Sequence, residues 1–248
     1  MSAPIPAVHY SVRHETHYDY ALPVSLSQQL LHLQPRMLSR QRLLDWQLAS
    51  DPAPSRRQDG LDAWGNPVSL LEYERAHQRL TLTSTMRVAI TPRPAFDPLD
   101  SPAWESVRAG YAHRPGRHRD AAALEPQQFR YASPYVPFHA AFVAYAEGCF
   151  TPGRPLLDAV HALMRQIHRD FQFDNRATAI DTPLVEVLAR RRGVCQDYAH
   201  LMIACLRALG FAARYLSGYL LTLPPPGKPR LIGADASHAW VAVHCPRQ

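Results

Sequence analysis

The stretch between Gly193 and Gly210 most limits what this chain can fold into. From Tyr198 onward Leu201, Met202, Cys205, Leu206 and Leu209 recur at steps of three and four, and Gly210 follows where a helix would stop. This spacing predicts a buried amphipathic helix, around which the rest of its domain has to be packed. Cys195 falls in the first turn of that helix. Unpaired backbone N–H groups and the positive end of the macrodipole favour an anion there, and the thiolate is the nucleophilic form of a cysteine. Gly193, just before it, leaves room for a substrate backbone to approach, and Gln196 offers an amide donor to an oxyanion. A bland reading competes, in which a cysteine at a helix start is a small buried hydrophobe.

The second half of the pattern favours chemistry. Residues 211–222 read as a strand, Pro224-Pro225-Pro226-Gly227 turns the chain, and His238-Ala239-Trp240-Val241-Ala242-Val243 reads as the next strand. A helix packed on such a pair can bring a strand histidine to its own N-terminus. Cys195 would then have in His238 a general base for activation and a proton donor for the leaving group. Trp240 shares the strand face of His238 and either shields the imidazole from water or simply packs.

Four segments carry a resemblance. They are Arg192-Gly193-Val194-Cys195-Gln196-Asp197-Tyr198-Ala199-His200, the helix ending Arg207-Ala208-Leu209-Gly210, Ala213-Arg214-Tyr215-Leu216-Ser217-Gly218-Tyr219, and Gly233-Ala234-Asp235-Ala236-Ser237-His238-Ala239-Trp240. Together they resemble the core of the bacterial transglutaminase-like family, whose members are described as cysteine-protease candidates. The opening Tyr10 to Tyr20 and Leu31-His32-Leu33-Gln34-Pro35-Arg36 are similar to the β-rich N-terminal domain of such proteins. The resemblance implies a papain-like arrangement with a Cys on a helix and a His and an Asp on successive strands. It implies Cys195 as nucleophile and His238 as base, acting on protein or peptide amides without a cofactor or metal.

The sequence departs from that family in one respect. The family's Asp lies on the strand after the histidine, whereas this sequence stops at Pro246-Arg247-Gln248. Asp235 is three residues from His238, an offset that puts two side chains on opposite faces of a regular strand, and Asp197 is placed elsewhere on the nucleophile helix. Losing the third residue costs a Ser-His-Asp enzyme on the order of 10⁴-fold. The expectation is a weakened enzyme or a fragment of a longer active one. The alternative class is a scaffold that recognises peptides without cleaving them.

At 248 residues, 46% of them hydrophobic, the chain can bury one large core or two ordinary ones. The formal charge of +6 comes from diffuse arginine, concentrated at Arg56-Arg57, Arg114 to Arg119 and Arg190-Arg191-Arg192. Aromatic residues are not interleaved with those runs, so a solvated basic surface is expected rather than nucleic-acid binding. The residues from Met1 to Ala7 lack the cationic start and long apolar run expected of a secretory signal, and no stretch approaches the length of a membrane span. Cys149, Cys195, Cys205 and Cys245 lack disulfide spacing, which points to a reducing cytoplasm. A zinc site from Cys195, His200, His238, His244 and Cys245 would lack the tight ligand pairs of structural zinc, and His200 reads as a packing residue.

In chain order, alternation at Val8, Tyr10, Val12, His14, Thr16, Tyr18 and Tyr20 predicts a long strand. Further strands are expected at 28–33, 43–48 and 68–73, the last preceded by a turn at Asp62 to Pro67, and the alternation of Leu80 to Ile90 predicts another. The expected architecture is α+β. It comprises a β-sandwich-like N-terminal domain over 1–92, a Pro- and Arg-rich linker or excursion over 93–132, and a papain-like core over 133–248 with a Cys-bearing helix on an antiparallel sheet. Within the core a short helix is expected near 139–147. Leu156, Val160, Leu163, Met164, Ile167 and Phe171 form one helical stripe, and Thr182 serves as N-cap of the helix leading to Arg190.

Overall fold

The computed structural model describes residues 6–112, 124–221 and 237–246. Two compact units form, Met1–Ala95 and Phe96–Gln248.

The first unit is all β. Strands β1 (Val8–Val24), β3 (Gln41–Asp51) and β6 (His77–Ile90) make one antiparallel sheet in the order β1-β6-β3. Strands β2 (Ser27–Leu31), β4 (Arg56–Leu61) and β5 (Pro67–Tyr73) make another in the order β2-β5-β4. Leu71 and Tyr73 of β5 and Leu80 and Leu82 of β6 meet in one apolar cluster, so side chains of both sheets build the core. Alternation along β6 is the cause, with Leu80, Leu82, Ser84, Met86 and Val88 all buried. Ser84 is tolerated there because its hydroxyl accepts from the Trp46 indole at 3.0 Å.

Strand β4 was not expected from the sequence. Every residue of Arg56–Leu61 is exposed, so no apolar period marks it. It forms because the predicted turn folds it back onto β5: Asp62 Oδ1 accepts from the N–H groups of Trp64 and Asn66, both at 2.8 Å, and Leu61 then pairs with Pro67.

In the second unit, part of the stretch expected as a linker or excursion forms a short helix. Helix α1 (Trp104–Gly110) buries Val107, and Tyr111 follows it into the core. Trp104, Val107 and Tyr111 are spaced by three and four, a helical signal masked by the surrounding prolines. The basic stretch 113–123 lies outside the described residues. Helix α2 (Ala140–Ala146) is capped by His139, whose Nδ1 accepts from the Ala141 N–H at 3.1 Å.

Helix α3 (Leu156–Asp170) buries Leu156, Val160, Leu163 and Ile167 as the stripe predicts. Met164 departs from it and is 49% exposed, because at about 100° per residue it stands roughly 80° from the stripe's centre. Thr182 is not the cap of α4 (Leu184–Arg190). Pro183 occupies that position, and the Thr182 hydroxyl accepts from the Ala179 N–H instead.

Helix α5 (Cys195–Ala208) is buried on nearly every side, with Leu201, Ile203, Ala204, Cys205 and Leu206 fully enclosed. It ends as predicted. Gly210 takes φ +93° and donates to Arg207 O, while Phe211 N–H donates to Leu206 O. Strands β7 (Gln172–Phe173) and β8 (Arg192–Gly193) form a short parallel pair, while β9 (Ala213–Gly218) is shorter than the expected 211–222 and pairs antiparallel with β10 (His238–Val243). The Pro224–Gly227 turn lies outside the described residues.

Arg207, 9% exposed, ties the unit together. Its Nε donates to Ala213 O at 3.0 Å and its Nη1 to Tyr131 O and Ser133 Oγ. Among the described residues no carboxylate pairs with it, and burial lowers its pKa.

The helix stop gives a direct test. Gly210→Ala puts a side chain at positive φ and a Cβ 3.3 Å from Arg108 Cδ. The variant is expected to lose about 1–2 kcal/mol of stability in urea unfolding, with an unchanged far-ultraviolet spectrum before the transition.

Candidate active site

Cys195 is the first residue of α5 and is partly exposed, unlike buried Cys149 and Cys205. Burial pushes the Cys205 thiol up to about 12 and also raises those of Cys149 and Cys245. These three thiols are therefore disfavoured as thiolates.

The course of α5 against the sheet locates Cys195. Arg207, near the helix's end, donates to Ala213 at the start of β9. His200 meets Tyr215 at 5.1 Å between ring centroids. Burial raises the pKa of the Tyr215 phenol. Helix and β9 thus run antiparallel, and the N-terminus of α5 lies toward the Gly218 end of the sheet. At that end His238 opens β10, paired directly with Gly218. The topology brings Cys195 and His238 to one end of the unit. Among the described residues no hydrogen bond joins the thiol to the imidazole. Asp235 lies outside the described residues.

Trp240 shares the register face of His238, as expected. Its ring lies against Gly218, where an added Cβ would come 2.9 Å from Trp240 Cη2. A glycine in β9 thereby makes room for a large ring beside the histidine. Gln196 follows Cys195 in the first turn and is partly buried.

Gly193 does something other than expected. The space a side chain would take there is filled by Asp197, whose Oδ2 would lie 2.5 Å from the added Cβ. It is therefore room for a carboxylate, rather than for a substrate backbone, that requires glycine. Asp197 accepts from the Val194 N–H at 2.8 Å and from Thr178 Oγ1 at 2.7 Å. The signal was legible: an acidic residue at the third helical position reaches back to the residue before the helix. Thr178 could not be found this way, because its contact crosses 19 positions of sequence.

His200 is the packing residue expected. It stacks on Tyr135 with centroids 5.6 Å apart and planes 3° from parallel, and Tyr215 covers it from β9. Tyr135 and Tyr215, both partly exposed beside the helix, were missed because neither breaks its local pattern. His244 is engaged separately, its Nδ1 within hydrogen-bond distance of Tyr111 Oη at 2.9 Å. Among the described residues no group of three or more potential ligands gathers for a metal.

Nor is the run at 190–192 a uniformly solvated surface. Arg191 takes φ 56° and lays its guanidinium over Tyr145 at 4.5 Å and Phe171 at 5.1 Å.

Residues 10–89 match the bacterial transglutaminase-like N-terminal region, and residues 143–248 match the transglutaminase-like superfamily. An uncharacterized protein of Mycobacterium tuberculosis is 40% identical over 252 residues, covering 100% of this chain and 77% of the relative. The chain belongs to the transglutaminase-like superfamily. This is a family of cysteine-dependent enzymes. An uncharacterized protein of Mycobacterium leprae is 27% identical over 93% of this chain and 77% of its own length. A crystal structure of a candidate cysteine protease from Cytophaga hutchinsonii superposes with a TM-score of 0.72 at 18% identity, over 96% of this chain and 73% of that one. The α+β architecture, with an N-terminal sheet region before a transglutaminase-like core, is thus the shared fold.

His200 supplies a pH prediction for this transglutaminase-like core. Burial lowers its pKa below the ordinary 6.5, with Asp197 opposing and Arg207 assisting. A histidine held neutral in the fold binds its proton more readily when unfolded. Its stabilising contribution is therefore complete above 6.5 and falls away as pH drops through the folded-state pKa. The denaturation midpoint should decline below pH 6.5, and His200→Phe should flatten part of that decline.

Proposed function

We propose that this protein is an acyl-transfer enzyme that attacks protein or peptide amides through a thioester on Cys195. One observation carries the reading: the only partly exposed thiol at a helix N-terminus among the described residues lies at the same end of the unit as His238. His238 takes the thiol proton, and Cys195 Sγ attacks the amide carbonyl. The tetrahedral oxyanion is received by the Cys195 backbone N–H and the Gln196 side chain. As the C–N bond breaks, His238 returns the proton to the departing amine or ammonia. Water then attacks the thioester, His238 again accepting the proton, and the acid is released with the thiol restored.

Hydrolysis is the favoured outcome, with an amine in place of water giving transamidation. Trp240, beside His238 on its strand face, limits water at the imidazole. The reaction needs a reduced thiol, which supports work in a reducing compartment. No helix among the described residues is long and apolar enough to cross a membrane.

Iodoacetamide labelling across pH, with the modified cysteine located by mass spectrometry, tests the reading. Cys195 should react fast below neutral pH and should lose at least tenfold in rate at pH 6 in His238→Ala. Cys195→Ala should abolish ammonia release from glutamine peptides as well as peptide cleavage. A Cys195 that reacts like a free thiol and ignores His238 would replace the enzyme with a peptide-binding scaffold.

A further inference from the structure

Helix α5 begins without a side-chain cap of the usual kind. Its N-cap is Val194, which has no side-chain oxygen to offer the first N–H groups. The nearest carboxylate, on Asp197, is turned backward instead. Its Oδ2 receives both the Val194 N–H and the Thr178 hydroxyl. Gly193 O, the carbonyl of that same Gly193–Val194 peptide, accepts from the Asp174 N–H and from Tyr198 Oη–H, each at 3.0 Å. The peptide leading into Cys195 is thus gripped at successive polar atoms.

Asp197 is 7% exposed, and among the described residues no cation pairs with it. A buried carboxylate met only by neutral donors is costly, so its retention calls for a gain elsewhere. Gly193 adds an independent observation. Its φ is not among the positive values, so only the collision with Asp197 excludes a side chain there.

We propose that Asp197 is the positioning residue of the nucleophile. With Thr178 as its latch, the carboxylate fixes the Gly193–Val194 turn, which holds Cys195 in one place. Among the described residues no group outside the helix takes the N–H groups of Cys195 and Gln196, which leaves them to a thiolate or an oxyanion. This rests on Cys195 being the nucleophile. Misplacing a reacting atom by about 1 Å can cost on the order of 10²-fold in rate, so such a latch matters more to reactivity than to stability.

The test is the rate of Cys195 alkylation by iodoacetamide at pH 6 in the full chain, measured beside the thermal unfolding midpoint. Thr178→Val removes the latch but keeps the charge, Gly193→Ala pushes the carboxylate aside, and Asp197→Ala removes it. All three should lose about tenfold or more in rate, Thr178→Val and Gly193→Ala with midpoints close to the parent's. Asp197→Asn keeps an acceptor of the same shape and should stay within about threefold of the parent.

Were Asp197 acting only by its charge, both Asp197 variants would react faster than the parent and Thr178→Val would be unchanged, which overturns the proposal. Folded variants that all label at the parent rate overturn it as well, as does a loss that merely follows the unfolded fraction. Should Asp197→Ala fail to fold, Thr178→Val and Gly193→Ala decide. The parent protein separates the two ideas. A slow parent rate that ignores His238→Ala sinks the acyl-transfer reading and this proposal with it, whereas a fast parent with indifferent variants sinks this proposal alone.

Discussion

Enclosing α5 is the constraint on which the rest of the second unit depends. A helix with almost no solvent-facing side needs neighbours all round it, and α2, α4, β9 and β10 supply them. Its two ends are then the places where polar groups must be satisfied. At the C-terminal end Gly210 and Arg207 do this, the latter with three neutral acceptors drawn from β9 and from residues 131–133. At the N-terminal end Asp197 looks backward and leaves the first N–H groups unspent. The buried helix thus has one closed end and one open end, and the open one is where the proposed nucleophile stands.

Much of this was legible in the sequence. The three-and-four spacing from Tyr198 to Leu209 and the glycine after it located α5, and the alternation of Leu80 to Val88 located β6, because each pattern is set by burial of that element itself. What failed were features set by partners distant in sequence. Arg56–Leu61 carries no period of its own and becomes a strand only because a turn places it against β5. Trp104, Val107 and Tyr111 carried a helical period that the surrounding prolines obscured. Thr178 has no local sign of its bond to Asp197.

The site was legible in part, for the same reason. Cys195 and His238 stand at element boundaries that local pattern reveals. The role of Gly193 was misjudged because a glycine records that something lies close without saying what. Here the neighbour is the protein's own carboxylate. Tyr135 and Tyr215 sit in ordinary loop and strand positions, and only the fold makes them the two faces of His200.

The glycine opposite His238 has a consequence for anyone reshaping this protein. Gly193 and Gly218 look like vacant positions, inviting larger residues beside Cys195 and His238. Both vacancies are already occupied, one by Asp197 and the other by the ring of Trp240. Diversity introduced at either position would be spent on displacing those side chains rather than on new selectivity. Tyr135 and Tyr215 are partly exposed but form the two faces of His200, so a change at either falls on that stack.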